Sequence, residues 1–116
     1  MQDFRNLKVW QKAHELALLI YRTTSEFPRE ELFGLRNSLR KTSVEIPAYI
    51  SEGCGKSSDT EFKKSLSVAL AFANRLEYYA LMAFDLEMLN EANHGQINSE
   101  LIEIKKMLSI LSQKLR

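Results

Sequence analysis

Residues 58–90 read SDTEFKKSLSVALAFANRLEYYALMAFDLEMLN and decide the fold class, because their apolar side chains recur at helical spacing. Ser58 and Glu61 have the spacing of a capping box, which predicts a helix over about residues 59–90 with Ser58 as its N-cap. One apolar stripe comprises Phe62, Leu66, Ala69, Ala73, Leu76, Ala80 and Ala83; a second comprises Val68, Phe72, Tyr79, Met82, Leu86 and Leu89. Two stripes exceed what one bundle core needs, so we expect the surplus at a subunit interface.

The segment after this helix predicts another one. Its apolar residues follow the heptad spacing of a helix–helix seam: Ile97, Leu101, Ile104, Leu108, Leu111 and Leu115. We expect Gly95 to lie in the preceding turn and Asn98 to cap the helix, with Ile97 and Ile102 as a hydrophobic staple.

Two helices are predicted before residue 58. The first covers about residues 7–25, with Asn6 as N-cap, and Phe27-Pro28 ends it because a residue before proline disfavours the helical conformation. Its apolar side chains are Val9, Trp10, Ala13, Leu16, Ala17 and Ile20.

The second helix is predicted to begin at Arg29 or Glu30 and to end at Glu52. Its buried stripe consists of Leu32, Leu35, Leu39, Ile46 and Ile50. Pro47 cannot donate to the carbonyl of Ser43, which predicts a kink. Gly53 is predicted to end the helix in the left-handed conformation.

Short connections between consecutive helices favour antiparallel neighbours. We therefore expect an all-α chain, with residues 1–116 forming one up-down-up-down four-helix bundle.

Composition narrows the class of protein. Sixteen basic residues face 15 acidic ones, so a nucleic-acid site would have to come from segregation of charge over the surface. The single cysteine, Cys54, excludes an internal disulfide. The charged N-terminal residues are unlike a signal peptide, and no apolar run approaches the roughly 18 residues of a membrane span. We expect a cytoplasmic protein without membrane association.

Gly55-Lys56-Ser57 resembles the end of a phosphate-binding P-loop, but two requirements fail. The first glycine of that motif would fall on residue 50, which is Ile50. A P-loop also follows a strand, whereas a helix is predicted here. The segment is interpreted as a turn, in which Lys56 could still contact a phosphate as a simple cation.

No other pattern predicts catalysis. A di-metal bundle site needs two Glu-x-x-His motifs, and Glu91 with His94 supplies one. Cys54 has no spacing that pairs it with a histidine and a third, orienting group. We expect no metal, no cofactor, no small-molecule substrate and no enzymatic activity.

Basic residues suggest a different function. Arg36 and Arg40 share a helix face, Lys41 is adjacent, and further lysines follow the turn. Such a stripe could contact phosphates without reading sequence. The alternative is a solvated face with local ion pairs. The candidate nucleic-acid-binding residues are Arg36, Arg40, Lys41, Lys56, Lys63 and Lys64.

Two blocks of sequence, FRNLKVWQKAHELALLIY at 4–21 and FPREELFGLRNSLRKTSVEIPAYISEG at 27–53, resemble a known family. Its members are four-helix-bundle proteins encoded in intervening sequences of large-subunit (23S) ribosomal RNA genes. The resemblance extends from about Phe4 to Leu115. The positions that match the family's second helix are Gly34, Leu35, Arg40, Ile46, Pro47, Ile50, Glu52 and Gly53, with Lys41 in place of an arginine.

The resemblance implies a ring-like homopentamer and kinship with the nucleic-acid-binding accessory protein of diversity-generating retroelements. It implies no enzymatic activity, and it makes RNA a candidate partner because of where the family's genes lie. Several polar positions depart from the pattern, among them Ser38, Glu45, Tyr49 and Arg75. These departures argue against a shared active site built from those residues.

The leading hypothesis is therefore a non-enzymatic, oligomeric helical scaffold that contacts structured RNA, or a ribonucleoprotein, through basic helix faces. The alternative is a protein–protein interaction module with no nucleic-acid role, in which the surplus apolar face binds a different protein.

Overall fold

The computed structural model describes residues 3–31 and 34–116, and the predicted core position Leu32 lies outside them. Four α-helices account for most of the chain: α1 (Lys8–Thr24), α2 (Leu35–Cys54), α3 (Asp59–Asp85) and α4 (Glu91–Lys114). Short 3-10 helices at Phe4–Asn6 and Arg29–Glu31 precede α1 and α2. The described part of the chain contains no strand, which confirms the all-α prediction.

The helices pack as a ring in which α1 contacts α2, α2 contacts α3, α3 contacts α4, and α4 returns to α1. Ion pairs join α4 to both of its neighbours. Lys12 of α1 meets Glu103 of α4 at 3.0 Å, and Lys105 of α4 meets Glu77 of α3 at 2.5 Å. The molecule measures 44 × 23 × 20 Å, and α3, at 27 residues or about 40 Å, spans nearly the whole long axis.

The core follows the sequence pattern closely. The first stripe of α3, from Phe62 to Ala83, is buried throughout. So are the predicted apolar positions of α1 except the half-buried Trp10, together with Leu39, Ile46 and Ile50 of α2. The seam of α4 is buried from Ile97 to Leu108 and becomes half-buried at Leu111 and Leu115.

The junction of α2 and α3 differs from the prediction. Gly53 does not adopt the left-handed conformation, since no described glycine has a positive φ; it lies inside α2. A Cβ atom there would lie 2.7 Å from Phe62 Cδ1 and 2.8 Å from Ser65 Cβ. The position therefore needs glycine for a close approach of α3, and the helix ends at Cys54 with Gly55 as its C-cap. Ser58 is the N-cap of α3, as predicted, and accepts a hydrogen bond from the Glu61 amide at 3.2 Å.

The turn between α3 and α4 also lies earlier than predicted. α3 ends at Asp85, and Glu87 adopts the left-handed conformation with φ 63°. The amide of Met88 then donates to the Ala83 carbonyl at 2.8 Å, a bond that closes a Schellman-type helix end. Asn90, rather than Asn98, caps α4 by accepting from the Asn93 amide at 2.7 Å. Gly95 consequently lies within α4, and the proposed staple is wrong because Ile102 is exposed.

Two other helix starts were misplaced. Asn6 belongs to the first 3-10 helix, which Asp3 caps, and α1 has no side-chain N-cap. α2 begins at Leu35, because Arg29–Glu31 forms a separate 3-10 helix. Pro47 lies within α2, as predicted, and it is buried; the kink stays a prediction.

The two helical glycines make a matched pair for measuring what each contributes to stability. Gly95→Ala meets no atom within 4 Å of the new Cβ, so it should raise the free energy of unfolding by about 0.5–1 kcal/mol. Gly53→Ala should lower it by roughly 1–3 kcal/mol, because Phe62 and Ser65 would have to move. Urea unfolding followed by circular dichroism measures both. Equal effects of the two substitutions would contradict the close approach of α2 and α3.

Candidate nucleic-acid interface

The six basic residues predicted to contact nucleic acid fall into two groups in the bundle. Arg36, Arg40 and Lys41 lie in the first half of α2, whereas Lys56, Lys63 and Lys64 surround the turn after it. Between Lys41 and Cys54, α2 rises about 20 Å. The residues are thus not one cluster, and the two groups would contact different parts of a ligand.

Arg40 is largely occupied within the protein. Its Nε donates to Thr24 Oγ1 at 2.8 Å, and a terminal nitrogen donates to the Tyr21 carbonyl at 3.0 Å. The guanidinium also lies over the Tyr21 ring, 4.6 Å from its centroid. The buried Thr24 hydroxyl in turn donates a hydrogen bond to the Ile20 carbonyl at 2.6 Å. Arg40 therefore joins α1 to α2, and a phosphate would compete with these bonds.

The other two α2 cations are placed differently. Arg36 is half-buried, and its Nε atom is enclosed among the described residues without a hydrogen-bond partner. Lys41 is exposed and lines an open groove between α2 and α3 together with Glu45, Phe72, Arg75 and Tyr79. Of the three, Lys41 offers the most accessible charge.

Lys64 is exposed and pairs with Glu61 one helical turn before it, at 3.1 Å. An exposed pair of this kind has a small free energy, so a phosphate could replace Glu61 at little cost. Lys56 is exposed in the turn. Lys63 is half-buried and borders a cleft between α3 and α4 that Ser112 and Gln113 also line.

Two lysines outside the predicted set lie at the same end of the bundle as Lys56. Lys8 begins α1 and Lys114 ends α4, and the two border one small apolar cleft. The predicted topology already implied this proximity, because in an up-down-up-down bundle the start of α1, the α2–α3 turn and the end of α4 lie at the same end.

The second apolar stripe of α3 faces outward, as the excess of apolar positions predicted. Val68, Met82 and Leu86 are 36%, 41% and 52% exposed. Phe72 and Tyr79 are half-buried between them, beside the groove that Lys41 lines. Leu89 differs from the rest of the stripe, because it follows the turn and packs into the core. The outward part of the stripe runs along much of α3.

The cysteine and the histidine that the sequence analysis considered for other chemistry have the following surroundings. Cys54 is buried, and desolvation, with a smaller contribution from Asp3, raises the pKa of its thiol, which disfavours the nucleophilic thiolate. The His94 ring stacks on Phe84 of α3. Its Nε2 atom lies 3.3 Å from the side-chain amide nitrogen of Asn98, one turn further along α4. Among residues 3–31 and 34–116 there is no group of three potential metal ligands. Nor does any described helix have the length and apolarity needed to span a membrane.

These features define a class: a four-helix bundle whose exposed surface combines an outward apolar helix face with unpaired cations. The sequence profile of the family described as "23S rRNA-intervening sequence protein" matches residues 5–110. The chain belongs to this family. No curated protein matches the sequence.

A solved structure supports the same assignment. The fold is similar to a protein of unknown function from the S23 ribosomal protein family of Bacteroides thetaiotaomicron, whose crystal structure was determined at 1.70 Å resolution. The TM-score is 0.80 at 25% sequence identity, over 90% of this chain and 97% of that chain. The family resemblance inferred from the sequence is thereby confirmed, and the bundle is the fold of a relative.

The contacts of Arg40 predict a structural role that can be measured. Arg40→Met keeps the helix propensity and much of the side-chain length but removes both donors, so the free energy of unfolding should fall by about 1–3 kcal/mol. Lys41→Met, at the neighbouring exposed position, should change it by less than about 0.5 kcal/mol. Urea unfolding of both variants makes the comparison. If Arg40→Met unfolds like Lys41→Met, Arg40 does not stabilise the α1–α2 contact.

Proposed function

We propose that the protein is a non-enzymatic scaffold that assembles into a homo-oligomer and contacts structured RNA through exposed basic side chains. The observation that carries the proposal is the outward apolar stripe of α3, which a lone bundle leaves in water. The family's description supports RNA as the partner class.

Self-association is supported by what surrounds the stripe. The groove beside it contains two cations, Lys41 and Arg75, and one anion, Glu45. Arg75 lies over the Phe72 ring, 5.3 Å from its centroid, and Tyr49 stacks on the same ring with 5.6 Å between the two centroids. Aromatic residues and arginine are enriched in protein interfaces, and mixed charges allow a copy of the same surface to be complementary. The homopentamer implied by the resemblance is one assembly that this surface could form.

The interface is tested by one charge placed in the stripe. Met82→Lys should abolish the oligomer, because burying an unpaired ammonium costs far more than the lost methionine contacts contribute. Ile102→Lys is the matched control: Ile102 is 53% exposed on α4 and lies outside the stripe. Light scattering coupled to size-exclusion chromatography reports the mass of both variants, and circular dichroism verifies folding. Retention of the wild-type mass by Met82→Lys would contradict the proposed interface.

RNA contact is tested by the salt dependence of binding. Fluorescence anisotropy with a labelled ribosomal RNA hairpin should show an affinity that falls linearly in a log–log plot against salt, with a slope of roughly −0.7 to −0.9 per phosphate contact. A slope worth several contacts is the expected result. Absence of binding at low salt would remove RNA from the proposal.

The same apolar stripe favours one alternative, a module that binds a different protein. Recovery of a stoichiometric protein partner, lost in Met82→Lys, from a chain that remains monomeric would favour this function over self-association. Elemental analysis showing bound iron, manganese or zinc would contradict a scaffold without a metal centre.

A further inference from the structure

The lysines of this protein differ in whether the fold neutralises them. In the middle of the bundle, Lys12 lies 3.4 Å from Glu100 and 3.0 Å from Glu103, and Lys105 pairs with Glu77. The carboxylate of Glu103, as a hydrogen-bond acceptor, is the main cause that raises the pKa of Lys12, with Glu100 adding to it. These two cations are matched by anions, and they have little charge left for a ligand.

The end of the bundle where α1 begins and α4 ends is different. Within the described chain, Lys8, Lys56, Lys63 and Lys114 have no carboxylate within 4.0 Å. We call these four residues the basic end. They come from the start of α1, the α2–α3 turn, the first helical turns of α3 and the last residue of α4.

The four lysines lie around the last turn of α4, in three neighbouring clefts that residues 112–115 border. Lys114 and Lys8 border the same cleft; Ser112 and Gln113 border a second cleft with Lys63; and Leu115 borders a third with Lys56. Each of the four lysines therefore borders a cleft that is also lined by a residue from the last turn of α4 or by Leu115, which follows it. The end of the molecule is bounded by its 23 and 20 Å dimensions, so the four charges share a face of about that width.

Two acidic side chains at this end are paired with cations. Asp3 pairs with Arg5 at 3.1 Å, and Glu61 pairs with Lys64. Asp59 accepts a hydrogen bond from the Arg116 amide at 3.1 Å. A bond from a neutral amide leaves the charge of Asp59 in place, so Asp59 and Glu52 are the two exposed carboxylates that remain to oppose the four lysines.

The opposite end carries a small excess of the other sign. Four arginines lie at that end, the exposed Arg22 and Arg29 and the half-buried Arg36 and Arg40. They oppose five exposed carboxylates on the end of α1, the segment before α2 and the α3–α4 turn. The five are Glu26, Glu30, Asp85, Glu87 and Glu91. Although the net charge of the chain is only +1, the two ends of its long axis therefore carry excess charges of opposite sign.

We propose that the basic end, rather than a stripe along α2, is the surface that contacts the phosphate backbone of structured RNA. This inference rests on the proposed RNA contact and names its location. Four flexible ammonium groups from separate segments match a dense row of phosphates better than the sparse carboxylates of a protein surface. A nucleic-acid duplex presents one charge about every 1.7 Å of axis, or roughly ten across a face of this size.

The test compares two charge-matched triple variants that keep every interior contact. Lys8→Gln/Lys56→Gln/Lys114→Gln removes three exposed cations from the basic end. Arg22→Gln/Arg29→Gln/Lys106→Gln removes three exposed cations that lie outside the basic end and outside the proposed interface. Each triple lowers the net charge equally, so a difference between them reports position. The probe is a labelled RNA hairpin of about 20 base pairs, titrated by anisotropy over a salt series, with oligomer mass and thermal unfolding checked for each variant.

We expect the basic-end triple to reduce the magnitude of the salt slope by roughly 0.7–0.9 for every lysine that contacts a phosphate, and the other triple to leave it nearly unchanged. Equal loss in both triples, or loss confined to the second, would overturn the assignment while leaving RNA binding itself in place. No binding by the wild-type chain would overturn both. Displacement of the hairpin by poly-glutamate as readily as by unlabelled RNA would also overturn it, because the surface would then recognise negative charge in general.

Discussion

The close approach of α2 and α3 at Gly53 is the constraint on which the rest of the bundle depends. A methyl group at this position would overlap Phe62 and Ser65, so the last turn of α2 and the first turns of α3 fit together only around a hydrogen atom. Further along α3, four alanines occupy the buried face: Ala69, Ala73, Ala80 and Ala83. Small side chains at a helix contact allow close packing, and here they assign one face of α3 to the core. Val68 and Met82 of the second stripe then remain on its outward flank.

This division explains why one helix can serve two purposes. Leu66 and Leu76 fill the interior, while Val68, Met82 and Leu86 are exposed to solvent. An outward apolar flank lowers the solubility of a monomer. Such a flank is expected where another surface covers it. Ion pairs are arranged in a similar way. Lys12 and Lys105 link neighbouring helices in the middle of the bundle, whereas the four lysines of the basic end have no carboxylate within 4.0 Å among the described residues.

The sequence predicted those parts of the fold that depend on periodicity. Both stripes of α3 and the seam of α4 repeat over many residues, and the capping role of Ser58 is local, so the order and number of helices followed. Positions that depend on two segments meeting were missed. Gly53 has the expected residue type for a C-cap, and only the position of Phe62 shows that it is there for space. Asn90 and Asn98 are equivalent as caps on sequence grounds, and Glu87 in the left-handed conformation decides between them by moving the turn.

The candidate site was harder to predict for the same reason. Charge spacing along α2 correctly placed Arg36 and Arg40 on one face, yet it could not show that Thr24 and Tyr21 occupy Arg40. Nor does one-dimensional spacing bring Lys8 and Lys114 together, since about a hundred residues separate them.

Cys54 makes the α2–α3 junction accessible to a chemical measurement. Its thiol is enclosed and its pKa is raised, so a thiol reagent reaches it when the junction opens. The rate at which a thiol reagent labels this single cysteine therefore reports how often the α2–α3 junction opens locally.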